Sequence, residues 1–152
     1  MKSHLFGIGL IMLVATHSCK RTTEPAIAGT SADLFSGTYK AKVVKEGNTV
    51  VFRNDGTTNI IPGYAKYRIA FSESAGKKIG RITEYTGETF EGVYSYNDSG
   101  KLLTFSNLLP SPQVGNYVFQ VTKAEKGELV LNTTVANPKT GNTMNQYTLI
   151  PE

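Results

Sequence analysis

The side chains with the widest chemical repertoire lie together at the start of this chain: His4, His17 and the single cysteine, Cys19. Cys19 could serve as a reactive thiol, a buried core residue or an attachment point. Beyond it the sequence holds no further histidine, and the chain has no tryptophan. The chemistry left downstream is that of carboxylate pairs and oxygen-ligated metals. Glu84, Glu88 and Glu91 come closest to a carboxylate cluster and point only weakly to a glycosidase pair. Charges solvated at strand edges account for them better. The stretch Asn97-Asp98-Ser99-Gly100 lacks the alternating carboxylates and terminal Glu of a calcium loop and is read as a turn. No glycine-rich phosphate loop of common spacing is present.

The surroundings of Cys19 decide among its uses. Lys2 is followed at 5–15 by an apolar run, LFGIGLIMLVA. A spanning helix needs about 20 apolar residues; this shorter run suits the h-region of a secretory signal. Thr16-His17-Ser18-Cys19 then resembles the lipobox of bacterial lipoproteins, with Ser18 in keeping and Thr16 where Leu is usual. That resemblance implies a lipoprotein signal peptide over 1–18. It also implies palmitate-type acylation at Cys19 and membrane attachment through the N-terminal lipid. The chain would then lie in a bacterial cell envelope, on the periplasmic side of the outer membrane or at the cell surface. Ordinary cleavage leaving a terminal thiol, or an uncleaved anchor helix, are the alternatives. Cleavage before Cys19 discards both histidines, and with them the commonest general base and the Ser-His-Asp, Cys-His and Cys/His-zinc systems. The mature chain is accordingly read as not an enzyme, with no cofactor, no metal and no intramolecular disulfide expected.

The remaining residues must be positioned by strands. Residues 19–33 read as a flexible polar tether, and one domain follows at 34–152. Short alternating segments punctuated by turn residues predict nine strands, near 38–45, 49–54, 66–72, 79–85, 88–96, 101–106, 116–124, 128–136 and 143–150. No helix is expected. Glu46-Gly47-Asn48, Thr86-Gly87, Asn97-Asp98-Ser99-Gly100 and Lys126-Gly127 each supply a residue able to take positive φ. Consecutive tight hairpins make this an all-β chain, an antiparallel up-and-down meander closing as a small barrel of about eight or nine strands. A β-sandwich is the alternative. With a net charge of +4 and scattered basic residues, no nucleic-acid partner is expected.

Alternation marks an inner face at Tyr39, Ala41 and Val43; Tyr67, Ile69 and Phe71; Phe90, Gly92, Tyr94 and Tyr96; Tyr117, Phe119 and Val121; and Leu129, Leu131, Thr133 and Val135. In the fourth strand the same phase holds Ile79, Arg81, Thr83 and Tyr85. A two-residue Thr86-Gly87 turn would set Arg81 opposite Gly92, whose missing side chain leaves room for the guanidinium. The stretch Phe35-Ser36-Gly37-Thr38-Tyr39 resembles the opening of the first strand in lipocalin-like and fatty-acid-binding barrels, the calycin group, with Tyr39 in place of the usual Trp. The resemblance implies a small apolar or amphipathic ligand inside the barrel. Arg81 with Tyr85 or Tyr94 would hold its polar head, and Phe90 and Tyr117 would line the site; for Arg81 the alternative is a pair with Glu88 or a place in solvent at the barrel end. The alternative is a solid barrel acting as a non-catalytic interaction or structural module for another envelope protein.

Two connections are longer than a hairpin needs. They carry Ile60-Ile61-Pro62 and Leu108-Leu109-Pro110. In a strict meander of nine strands they are the second and sixth connections and share one rim. The first strand starts from that rim too, so the rim is expected to form the mouth and to face the membrane.

Overall fold

The computed structural model describes residues 34–152. The signal peptide expected over 1–18, Cys19 and the tether expected over 19–33 lie outside the described residues. Nine strands appear: β1 (Gly37–Glu46), β2 (Thr49–Arg53), β3 (Arg68–Ser74), β4 (Lys77–Thr83), β5 (Thr89–Asn97), β6 (Leu102–Leu109), β7 (Tyr117–Glu125), β8 (Glu128–Thr133) and β9 (Asn145–Pro151). Short 3-10 helices at Pro62–Lys66 and Pro138–Thr140 depart from the expectation of no helix. Both begin on proline, whose fixed φ and missing N–H suit a first helical position.

Neighbouring strands pair antiparallel in the order β2-β1-β3-β4-β5-β6-β7-β8-β9, and β1 also pairs with β9. That last pairing runs from Tyr39↔Pro151 to Glu46↔Asn145 and closes the sheet on itself, which excludes a sandwich. The ring has eight members, because β2 and β3 share one edge of β1. Arg53 lies opposite Val43 and Asn54 N–H donates to the Lys42 carbonyl, while Ala41 N–H donates to the Tyr67 carbonyl and Arg68 lies opposite Lys40. The pairing therefore continues along β1 without a gap, and residues 55–66 are an insertion into what is geometrically one strand. A closed eight-stranded up-and-down ring is the architecture of lipocalin-type barrels.

The split strand changes which loops share an end. β1 starts at the end that also holds the turns 75–76, 98–101 and 126–127 and the C-terminus. The opposite end carries the connections 47–48, 84–88, 110–116 and 134–144. The expectation that the chain enters at the rim of the long loops is thus corrected: it starts at the end opposite 110–116. The inserted 55–66 segment does turn toward the long-loop end, where Tyr64 packs on Tyr85 and its hydroxyl donates to Glu46. Asn59 lies along the outer edge of β2, accepting from Arg53 N–H at 2.8 Å and donating to the Arg53 carbonyl at 3.1 Å. Ile61 N–H takes the Val51 carbonyl. The edge that the split exposes is thereby occupied.

Most of the anticipated inner face is buried, with three exceptions. A bulge between Ala41 and Val43 shifts the phase of β1, so Val44 replaces Val43 in the core. β8 stops at Thr133, leaving Val135 exposed in the following connection. In β4, Gly80 and Ile82 face inward and Arg81 faces out. Two residues do not form the turn after β4. Glu84 N–H donates to the Glu88 carbonyl and Gly87 N–H to the Glu84 carbonyl, enclosing three residues, with Gly87 at φ 96°. Thr83 then opposes Thr89 and Arg81 opposes Glu91, one residue away from the expected register. One step along a strand turns every side chain to the other face.

Aromatic rings run the length of the barrel. Phe35 meets Phe71 at 5.3 Å between centroids, Phe71 meets Phe105 at 5.8 Å, Phe105 meets Phe119 at 6.2 Å, and Phe119 meets Tyr147 at 6.0 Å. Tyr147 stacks on Tyr67 at 4.6 Å, and Tyr64 covers that pair. The close approach of Phe105 needs Gly80, where a Cβ would sit 2.5 Å from the ring. The space that Gly92 was expected to leave for Arg81 is instead left by Gly80 for a phenyl ring.

Candidate functional site

The long-loop end gathers most of the polar side chains that face inward. Gly80, Ile82 and Glu84 continue one inward phase, so the slip that expels Arg81 brings Glu84 in. Only 4% of Glu84 is exposed, which corrects the reading of it as a solvated charge. A buried carboxylate is costly unless paired and hydrogen-bonded, and Glu84 has both kinds of partner. The Tyr117 hydroxyl donates to Glu84 Oε1. Lys139 Nζ donates to Glu84 Oε2 at 2.5 Å and to Glu88 Oε2 at 3.0 Å.

Lys139 reaches Glu84 from across the mouth. In ring order two strands separate the β8–β9 connection from the β4–β5 turn on either side, so the two are diametrically opposed. The 134–144 strap holds its shape through its own polar contacts. Asn137 Oδ1 accepts from Lys139 N–H, Asn137 pairs with Thr143, and Gly141 takes the left-handed conformation at the end of the 3-10 turn. Buried Asn145 donates to Thr140 Oγ1 and accepts from Thr143 Oγ1 at 2.8 Å, tying the strap to β9. Both coverings of the mouth meet at Tyr85. Its ring lies 5.0 Å from that of Tyr64, a Cβ on Gly63 would collide with its carbonyl oxygen, and its hydroxyl donates to the Lys139 carbonyl.

The electrostatics follow from this geometry. Burial pulls the Lys139 ammonium down, but the hydrogen bonds to Glu84 and Glu88 outweigh it and leave the group raised. Glu88 is held below the usual carboxylate range, first by its hydrogen bond to Lys139. Burial raises Tyr64, Tyr67 and Tyr117, and the bond to Glu84 pushes Tyr117 further up. Burial also brings Tyr147 up to about 12. At neutral pH these phenols are therefore protonated.

Two recesses flank the cluster. One, of about 210 Å³, lies between the strap and the 110–113 segment and is lined by Glu88, Phe90, Pro110, Pro112 and Lys139. A narrow apolar cleft of about 30 Å³ opens between Val114, Val118, Val135 and Ala136 onto Phe119 and Tyr147. A wider, polar trough of about 350 Å³ is lined by Lys45, Asn48, Asn132, Met144 and Gln146.

The chain matches several solved structures, among them the following two. A lipocalin-like protein from Bacteroides uniformis superposes with a TM-score of 0.47 at 14% identity, over 78% of this chain and 99% of that one. An uncharacterized protein from Bacteroides eggerthii superposes with a TM-score of 0.45 at 12% identity, also over 78% and 99%. No family model matches, and no curated protein does.

The residues anticipated from sequence separate into three places. Tyr85, Phe90 and Tyr117 meet at the covered mouth around Glu84 and Lys139. Tyr94 lies toward the N-terminal end, its hydroxyl donating to the Phe35 carbonyl at 3.2 Å. Arg81 is outside, in an ion pair with Glu91 at 2.5 Å with both side chains about half exposed. In each greasy pair one residue is covered and one exposed: Ile61 and Leu108 pack inward, Ile60 and Leu109 face solvent. Leu108 and Leu109 belong to β6 rather than to a loop. Sequence reasoning missed Lys139, Tyr64 and Tyr147. The one legible signal was a turn of three residues with glycine last, which would have turned Glu84 inward.

Proposed function

We propose that this chain is a non-catalytic, lipid-anchored lipoprotein of a bacterial envelope, and that it recognises its partner with the covered mouth of a solid barrel. The observation that carries this reading is the unbroken series of rings from Phe35 to Tyr64, which occupies the axis where an internal ligand would lie. A pocket for a drug-sized molecule usually needs about 300 Å³ or more; the recesses beside Glu84 are smaller, and the trough of about 350 Å³ reaches that size but is lined mainly by polar side chains. Exposed large apolar side chains support the assignment of the mouth: Ile60, Leu109, Val135 and Met144 all belong to segments at that end. The lipobox-like Thr16-His17-Ser18-Cys19 and the loss of both histidines on cleavage support the anchored and non-catalytic parts.

Two measurements test the reading. Native mass spectrometry of the full-length protein, extracted in mild detergent, is expected to show the acylated chain without a second bound lipid. A stoichiometric lipid released only on unfolding would mean that the axis is not filled. Cys19→Ser is expected to abolish acylation and move the protein to the soluble fraction. Unchanged membrane association and processing would remove the anchor.

A further inference from the structure

Lys139 is held in the way a protein would hold a foreign amine. The carboxylates and the ring that surround its ammonium come from the β4–β5 turn and β5, on the barrel wall, and the Tyr117 hydroxyl of β7 bonds to Glu84. The ammonium comes from the strap opposite. Its Nζ sits 5.6 Å from the Phe90 ring centroid, between Glu84 and Glu88. Carboxylate plus aromatic face is a general recognition element for organic cations. We propose that this wall is a binding site for an alkylammonium group, that Lys139 is its built-in occupant, and that a small primary amine displaces Lys139 with its tail lying against Phe90, Pro110 and Pro112.

Charge, space and the attachment of the strap each favour this assignment. Glu84, Glu88 and Lys139 together carry an excess of one negative charge, so an anion is repelled once Lys139 withdraws. Removing the lysine alone would leave a buried carboxylate with the Tyr117 hydroxyl as its remaining partner, a costly state. An incoming ammonium restores the pairing, and a neutral alcohol does not. The recess of about 210 Å³ beside Lys139 accommodates a short apolar tail. Lys139 can leave without opening the sheet. Its backbone is tied to Asn137 within the strap and accepts one hydrogen bond from the Tyr85 hydroxyl, while its side chain makes the links to Glu84 and Glu88. The inference goes beyond the anchored-module reading and stands whether or not Cys19 carries a lipid.

The test is calorimetric titration of the full-length chain in mild detergent with n-butylammonium chloride, with n-butanol and sodium butyrate as controls. Lys139→Ala and Lys139→Met are expected to bind n-butylammonium at least about tenfold more tightly than the unmodified chain, because the internal competitor that keeps the site occupied is gone. Lys139→Met keeps an apolar stem over Phe90 and guards against loss of folding. Adding Glu84→Gln to Lys139→Met should abolish the binding, and the two controls should not bind. Equal affinity with and without Lys139, retention of binding by the Glu84→Gln double variant, or equal binding of n-butanol overturns the site. Should neither lysine variant fold, the unmodified chain decides. A rise in Tm with n-butylammonium and none with n-butanol supports the site, and equal responses overturn it.

Discussion

Arg81 and Gly80 are neighbours in β4, and the barrel treats them in opposite ways. Arg81 pairs with Glu91 in solvent, where such pairs contribute little. Arg81→Ala should therefore change stability by less than about 1 kcal/mol. Gly80→Ala places a methyl group in the Phe105 ring and should cost about 1–3 kcal/mol, the usual range for overpacking a core. Denaturant titration compares them; an Arg81 variant as damaged as the Gly80 variant would put the guanidinium back inside. The buried phenols give a second expectation at this scale. Tyr64, Tyr67, Tyr117 and Tyr147 have folded-state pKa values above the unfolded value of 10.0, and Lys139 lies above 10.5. A raised folded pKa contributes stability that is fully present below the unfolded pKa and is lost as pH rises through the folded one. Stability should thus decline from about pH 10 upward. Phenolate absorbance of these four should appear together with loss of β-sheet circular dichroism. Phenolate formed by all eight tyrosines in a chain that stays folded would contradict the burial.

At the scale of elements, the 55–66 insertion is the departure with the largest consequences. Asn54 and Tyr67 already bond to consecutive residues of β1, so joining them directly should restore one continuous strand. The barrel is expected to fold without the insertion while losing the Tyr64 plug, at a cost of about 3 kcal/mol from the burial of one large side chain. Tyr67, Tyr85 and Tyr147 would then face solvent at the mouth, and an environment-sensitive hydrophobic dye should bind the shortened chain and not the full one. A shortened chain that excludes the dye would mean that the insertion does not close this end. These elements also show what could be read beforehand. Nine strands were legible because their turn residues and alternation are local properties. The merging of β2 with β3 was not, since it depends on β1 accepting both along one edge. The bulge in β1 was equally hidden, and the three-residue turn after Glu84 was legible only as one of two turn lengths that satisfy the local pattern. The Glu84–Lys139 contact joins residues 55 apart through closure of the ring, which no spacing rule anticipates.

Among the described residues the exposed large apolar side chains gather at one end of the barrel. Around the start of β1 the turns carry exposed charges: Glu73, Lys77, Lys78, Asp98, Lys101, Glu125 and Lys126. The opposite end carries Ile60, Leu109, Val135 and Met144. Glu152 N–H donates to the Thr38 carbonyl, so both termini of the barrel belong to the charged end. If Cys19 is the anchor, the tether joins the barrel at that end, and the apolar mouth is the part carried away from the bilayer. The parity of the strands decides this: a ninth full strand would have brought the mouth round to the lipid, and the split of β2 from β3 prevents it. The expected consequence is measurable with single fluorophores in liposomes reconstituted with the acylated chain. A probe at Lys77→Cys should be quenched by headgroup-attached quenchers more strongly than one at Ile60→Cys. The reverse order would mean that the mouth lies on the membrane, and the apolar side chains there would then meet lipid rather than a partner in the aqueous compartment.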